Sequence, residues 1–278
     1  MMKLSNLMID DIIINALKED MPFGDVSTDN LFNGDEQSEG RLIAKQEGVL
    51  AGLEVFKRVF ELIDNMVVVD LYFNDGDKVK NKDVIGMIKG STKSILKGER
   101  TALNILQRMC GIATKTNMLV EAINNNKIRL ADTRKTTPNL RVLEKYAVTM
   151  GGGSNHRFSL SDAVMLKDNH IKAAGGISKA VNTVRNRIPH TMTIEVEVET
   201  LEQVKEAVEA KADIIMLDNM DKKTMKEAIT IINKKALVEI SGNIDLNNIS
   251  ERVFEGIDII SSGGITHSVP AMDISLKF

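Results

Sequence analysis

Residues 193–218 read TIEVEVETLEQVKEAVEAKADIIMLD. TIEVEV alternates acids with β-branched residues, as a strand with one polar and one apolar face does. DIIMLD, at 213–218, is a second short hydrophobic run. The residues between them, 200–211, place Leu201, Val204, Ala207 and Val208 at helical spacing. A strand, a helix and a strand in so short a stretch predict two parallel strands joined by a crossover helix.

The same unit recurs outward in both directions. IRLADT (128–133), AVTMGG (147–152), AVMLKD (163–168), ALVEIS (236–241) and DIISSG (258–263) read as further strands. Helical patterns at 139–146, 173–187, 221–234 and 245–255 separate most of them. Seven strands within residues 128–263 predict an α/β barrel rather than an open sheet.

The N-terminal part has a different pattern. A helix over 7–19 leads to a loop at MPFGD, and RLIAKQEGVLAG (41–52) reads as two short strands. An amphipathic helix follows at 53–64, then a strand at 66–73, a further strand pair, and a long helix over 98–126. This predicts an α/β sandwich over 1–105, joined by the 269–278 tail, and a barrel over 106–268.

The polar residues collect at the predicted strand ends. Asp132, Thr133, Arg134 and Lys135 end the first strand, Lys167 and Asp168 the third, Glu197 and Glu199 the fourth, and Asp218 and Asn219 the fifth. Ser241-Gly242-Asn243 follows the sixth and Ser262-Gly263-Gly264 the seventh. In a parallel barrel these ends share one rim, where the active sites of such barrels are built. The two Gly-containing turns suit a phosphate cradled by backbone N–H groups. Arg134-Lys135, His156-Arg157 and Lys167 suit a small ligand with several negative charges. Lys167 is open to a second reading, a Schiff-base lysine. Glu197 and Asp218 suit Mg²⁺ or ribose hydroxyls, with Glu195 orienting its neighbours.

Composition narrows the function. The formal net charge is -3, the sequence pI is about 5.9, and there is no Trp and only two Tyr. Neither a cationic field nor a stacking platform for nucleic acid is present. The one cysteine, Cys110, forms no internal disulfide, and with four dispersed histidines it makes no zinc motif. No signal-peptide core and no apolar run of membrane length appears, so a cytoplasmic location is expected. Neither GxxxxGK[ST] nor GxGxxG occurs.

On these residues the chain resembles the quinolinate phosphoribosyltransferase family, also called carboxylating nicotinate-nucleotide pyrophosphorylases. The resemblance runs through EDMPFGDVSTD, GERTALNILQRMCGIAT, DTRKTTPNLRVLEKYAV, GGGSNHRFSLSDAVMLKDNHI, EVEVE, IMLDNM, EISGNI and SGGITHS. It implies an N-terminal α/β sandwich plus an open seven-stranded α/β barrel. It also implies phosphoribosyl transfer from phosphoribosyl pyrophosphate to quinolinate with decarboxylation, in de novo NAD synthesis.

Carried onto this chain, Arg134, His156, Arg157 and Lys167 contact the quinolinate carboxylates, with Thr133 in the same substrate site, and Lys135 lies near the reacting centre. Arg100 reaches into the neighbouring site of a homodimer. Glu197 and Asp218 face the ribose and Mg²⁺, and Lys135, Lys167, Glu197 and Asp218 form the catalytic set. Ser241, Gly242, Asn243, Ser262, Gly263 and Gly264 hold the 5′-phosphate. Two departures from the family pattern stand out: Cys110 in place of Ser, and Asn243 in place of a second Gly. Asn tolerates the left-handed backbone such a turn requires.

Overall fold

A computed structural model describes residues 3–278. From the N-terminus the elements are α1 (Asn6–Asp20), α2 (Val26–Leu31), β1 (Gln37–Ala44), β2 (Gly48–Val49), α3 (Leu53–Ile63), β3 (Val68–Leu71), β4 (Lys78–Val79), β5 (Val84–Ser91) and α4 (Thr92–Ile123). Then come β6 (Arg129–Ala131), α5 (Arg141–Met150), β7 (Val164–Leu166), α6 (Asp168–Ala174), α7 (Ile177–Arg185), β8 (Ile194–Val198), α8 (Leu201–Glu209), β9 (Ile214–Asp218) and α9 (Lys222–Ile232). The chain ends with β10 (Leu237–Ser241), α10 (Ile249–Arg252), β11 (Ile259–Ser261), α11 (Gly264–His267) and β12 (Ile274–Lys277).

Contacts divide the chain into two units. One comprises Met1–Asn117, Thr136–Gly152 and Ile265–Phe278; the other comprises Met118–Lys135 and Gly153–Gly264. The division falls inside α4, between Asn117 and Met118, rather than at the expected 105/106.

In the first unit an antiparallel sheet has the order β12-β1-β5-β3. The tail strand β12 pairs along β1, with Leu276 opposite Leu42. Helix α3 buries Leu53, Val55, Phe56, Val59 and Phe60, and its two phenylalanines meet edge to face at 5.2 Å between centroids. On α4, a Cβ at Gly111 would lie 2.2 Å from the Pro270 carbonyl oxygen. The glycine therefore marks a close approach of two backbones, not a bend.

In the second unit six strands form a parallel sheet in the order β6-β11-β10-β9-β8-β7. The first strand in sequence lies beside the last, as barrel closure requires. The seventh position is held by a single parallel bridge, Ser154 to Ala131. There Ser154 N–H donates to Leu130 and Asp132 N–H donates to Ser154. No strand runs over 147–152. Those residues complete and cap α5, which buries Leu143, Glu144, Lys145, Ala147, Val148 and Met150. A helix covered on several sides shows no single apolar stripe, so its apolar run imitates a strand.

Two expected helices are also shorter than their patterns. The stretch 173–187 divides at Gly175-Gly176 into α6 and α7. Over 245–255 only α10 forms. Asp245 Oδ1 accepts from the backbone of Asn247 and Asn248, and Asn248 Oδ1 accepts from Asp245 N–H, which holds a turn in place of a helix.

Strand register sorts the barrel side chains into two faces. Val196, Val198, Ile215, Leu217, Val238 and Ile240 are all buried on one face, and α8 packs on β8. Glu195, Glu197, Met216, Asp218, Glu239 and Ser241 share the other face, because Glu197 pairs with Met216, Met216 with Glu239, and Asp218 with Ser241. One barrel face is therefore aliphatic and the other carries the carboxylates.

Candidate active site

Asp132, just past β6, is fully buried. Its carboxylate accepts from Asn155 Nδ2 at 2.6 Å and from His156 N–H at 2.9 Å. This acid pins the NHR segment to the strand end. Thr133 Oγ1 accepts from Lys135 N–H at 3.0 Å, which shapes the turn that carries Arg134 and exposed Lys135.

Arg157 donates through Nη1 to the Ala163 carbonyl at 3.0 Å. Burial, and then the positive charge of Arg134, pull its pKa below the ordinary arginine value, while Glu195 and Asp162 oppose them. Both guanidinium groups are half-buried, and each like charge in such a setting favours a bound anion.

Lys167 follows β7 and caps α6. Its N–H donates to His170 Nδ1 at 3.1 Å, so His170 orients this turn. The Lys167 ammonium is ion-paired with Glu197 on β8. A carboxylate beside the amine is the opposite of the apolar pocket or neighbouring cation that makes a lysine nucleophilic. The anion-ligand reading of Lys167 is the one that geometry favours.

Asp218 ends β9 beside Ser241 of β10, and it accepts from Asn219 Nδ2 at 2.9 Å. Gly242 has φ +108, and a Cβ there would lie 2.5 Å from Asn219 Oδ1. Asn243 takes φ 31, the left-handed side expected of it, and its carbonyl accepts from Asn248 Nδ2 at 2.6 Å. Ser262 is buried, with its hydroxyl given to the Ile244 carbonyl and its N–H to Ala131. The Ser262 hydroxyl is therefore not free to donate to a phosphate in that turn.

His156 faces inward, not toward the rim. Nε2 lies 3.1 Å from Glu195 and 3.5 Å from Glu239, and Nδ1 accepts from Arg157 N–H at 2.7 Å. Both ring nitrogens are occupied within the protein. Arg100 is exposed on α4, in the first unit.

Sequence reasoning missed two features. Glu239 is buried on the polar face of β10; the signal was one acid in ALVEIS, two residues before Ser241 and so on the same side. In the first unit, Arg108 donates to buried Glu144, to Thr137 Oγ1 and to the carbonyls of Thr266 and Val269. Glu144 also accepts from Thr137 N–H. An arginine on an apolar helix face opposite a glutamate in LRVLEKY was the only sequence trace of that anchor.

Comparison with known proteins finds similarity along nearly the whole chain. Residues 25–110 match the model of the quinolinate phosphoribosyl transferase N-terminal domain, and residues 112–277 that of its C-terminal domain. A protein named probable nicotinate-nucleotide pyrophosphorylase (carboxylating) from Bacillus subtilis is 41% identical, across 98% of this chain and 94% of its own length. Quinolinate phosphoribosyltransferase (decarboxylating) 2, mitochondrial, of Nicotiana glauca is 40% identical, across 94% of this chain and 80% of its own length. The crystal structure of NadC from Streptococcus pyogenes superposes with a TM-score of 0.97 at 48% identity, covering 100% of this chain and 98% of that one.

Proposed function

Since the chain belongs to the quinolinate phosphoribosyltransferase family, we propose that it makes nicotinate mononucleotide for NAD synthesis. It transfers the phosphoribosyl group of phosphoribosyl pyrophosphate to the ring nitrogen of quinolinate, releasing CO₂ and pyrophosphate. The observation that carries this reading is that Arg134 and Arg157 are both half-buried cations, with Lys167 on the same barrel. Three cations suit the two adjacent carboxylates of quinolinate.

In the proposed reaction, the bond from the anomeric carbon to pyrophosphate breaks with its electrons leaving on pyrophosphate. The quinolinate nitrogen lone pair then forms the new bond. The resulting pyridinium accepts the electrons left when the carboxylate on the adjacent carbon departs as CO₂, and a proton replaces it. Lys135, in the exposed turn, is placed near this centre. Glu197 and Asp218 face the ribose, where their negative charge stabilises the developing oxocarbenium. Gly242, Asn243, Gly263 and Gly264 receive the 5′-phosphate, with Ser241.

Glu197 and Asp218 offer only oxygen donors, from one face of adjacent strands, and this donor set suits Mg²⁺, directly or through water. Bound there, Mg²⁺ would offset the charge of the donor's phosphates. We further propose a homodimer in which Arg100 completes the neighbouring site. Leu7, Phe23, Val26 and Leu31 are 73–99% exposed, an apolar surface that a second copy would cover. No helix among the described residues is long and apolar enough to cross a membrane, and buried, unpaired Cys110 suits a reducing, cytoplasmic setting.

The test is incubation with quinolinate, phosphoribosyl pyrophosphate and Mg²⁺, following nicotinate mononucleotide. Parallel reactions with nicotinate decide the acceptor: preference for nicotinate would overturn the assignment.

A further inference from the structure

Within the barrel lies a trio that the reaction as described does not use. The His156 side chain is 12% exposed, and the Glu195 and Glu239 side chains are 4% and 1% exposed. Oε1 of Glu195 and both oxygens of Glu239 receive no hydrogen bond among the described residues. Two desolvated carboxylates cost several kcal/mol unless cations offset them.

A metal ion is one candidate offset, since ligand atoms of His156, Glu195 and Glu239 lie within 4.8 Å of one another. The imidazole argues against it. Nδ1 accepts the Arg157 N–H, so the neutral ring carries its proton on Nε2 and has no lone pair there for a metal. Burial opposes a second proton, but the Glu195 and Glu239 carboxylates facing Nε2 outweigh it and draw the pKa up to about 10. The Arg157 N–H resists that proton, because an imidazolium has no lone pair at Nδ1 to accept it. In either state Nε2–H is a donor to Glu195.

The cation that Glu195 offsets lies next door. Glu195 supports the charge of Arg157 against burial and Arg134. The residue before Arg157 is held twice, by its backbone on Asp132 and by its ring on Glu195. We propose that His156 is a positioning residue: it sets Arg157 for the acceptor's carboxylate, braced by Glu195 and Glu239, and does not itself touch the acceptor. This rests on quinolinate being the acceptor, and it revises the direct contact that the family resemblance implies for His156.

The test is calorimetric binding of quinolinate alone, with no donor and hence no turnover, beside separate binding of phosphoribosyl pyrophosphate. His156→Ala should weaken quinolinate about tenfold or more and leave the donor's affinity in place. His156→Gln presents an amide that can donate to Glu195 and accept from Arg157 N–H, and should restore affinity to within about threefold of the parent. In an Arg157→Lys background the effect of His156→Ala should largely vanish, because His156 acts through Arg157. The proposal is overturned if His156→Gln binds as weakly as His156→Ala, or if the His156 and Arg157 effects add in full. Equal loss of both ligands in His156→Ala would also overturn it, marking a general structural role. If His156→Ala does not fold, His156→Gln in both Arg157 backgrounds decides the same question. A parent that binds no quinolinate would instead sink the functional reading itself.

Discussion

Lys167 and Glu197 are ion-paired between neighbouring parallel strand ends, the lysine following β7 and the glutamate on β8. In the proposed reaction this pair would tie a cation of the acceptor side to an acid of the donor side. The Lys167 side chain is 45% exposed and that of Glu197 15%, so the pair is partly shielded from solvent, and an incoming dianion would compete with Glu197 for Lys167. Glu197→Gln should leave quinolinate affinity unchanged or tighter in calorimetry, while single-turnover chemistry slows by about a hundredfold. Parallel loss of binding and chemistry would show that the pair only holds the strands together.

Arg134→Ala and Arg157→Ala should each fold normally, because the side chains lie at strand-end turns, outside the aliphatic face of the sheet. Each should lose about 2–5 kcal/mol of quinolinate binding, as for a truncated charge pair in a desolvated site. The measurement is the quinolinate KM together with a thermal melt. Near-normal kinetics in either variant would remove that arginine from the site.

Gly242→Ala tests the phosphate turn. The left-handed backbone costs a side chain about 1 kcal/mol, and the added methyl would press on Asn219 Oδ1, beside Asp218. The KM for phosphoribosyl pyrophosphate should rise while quinolinate binding holds. A rise confined to quinolinate would move the phosphate site elsewhere.

Cys110 is fully buried, and burial pushes its thiol up to about 12. Only the thiolate reacts with alkylating reagents, so the native protein should resist iodoacetamide at pH 8 and react once unfolded in urea. Stoichiometric labelling of the folded protein, read by intact mass, would contradict the packing of α4.

Arg100 tests the shared site. An inactive Arg100→Ala chain mixed with an inactive Arg157→Ala chain should recover part of the parental activity, since a mixed dimer contains one site with neither lesion. Mixtures with no recovered activity would confine each site to one chain.

Much of the site could be read from residue order alone. Strand ends in a parallel sheet fall on one edge, so DTRK, LKD, EVE, LDN and ISGN declared a common rim once their strands were recognised. Inference failed where burial erased periodicity. Residues 147–152 looked like a strand because α5 buries more than one of its sides. Glu239 went unremarked because one acid in an aliphatic strand acquires meaning only when register sets it beside Met216 and on the face of Glu195. Ser262 looked like a phosphate ligand by type, yet its hydroxyl is spent on Ile244.

The sequence by itself determined the strand–helix repetition, the cations and acids at the strand ends, and the family, because periodicity and motif order are local properties of the chain. Tertiary structure decided which way His156 points, which carboxylates share the interior, and that Lys167 meets Glu197. Those outcomes depend on register and on the balance between desolvation and pairing, and neither exists until distant strands lie side by side.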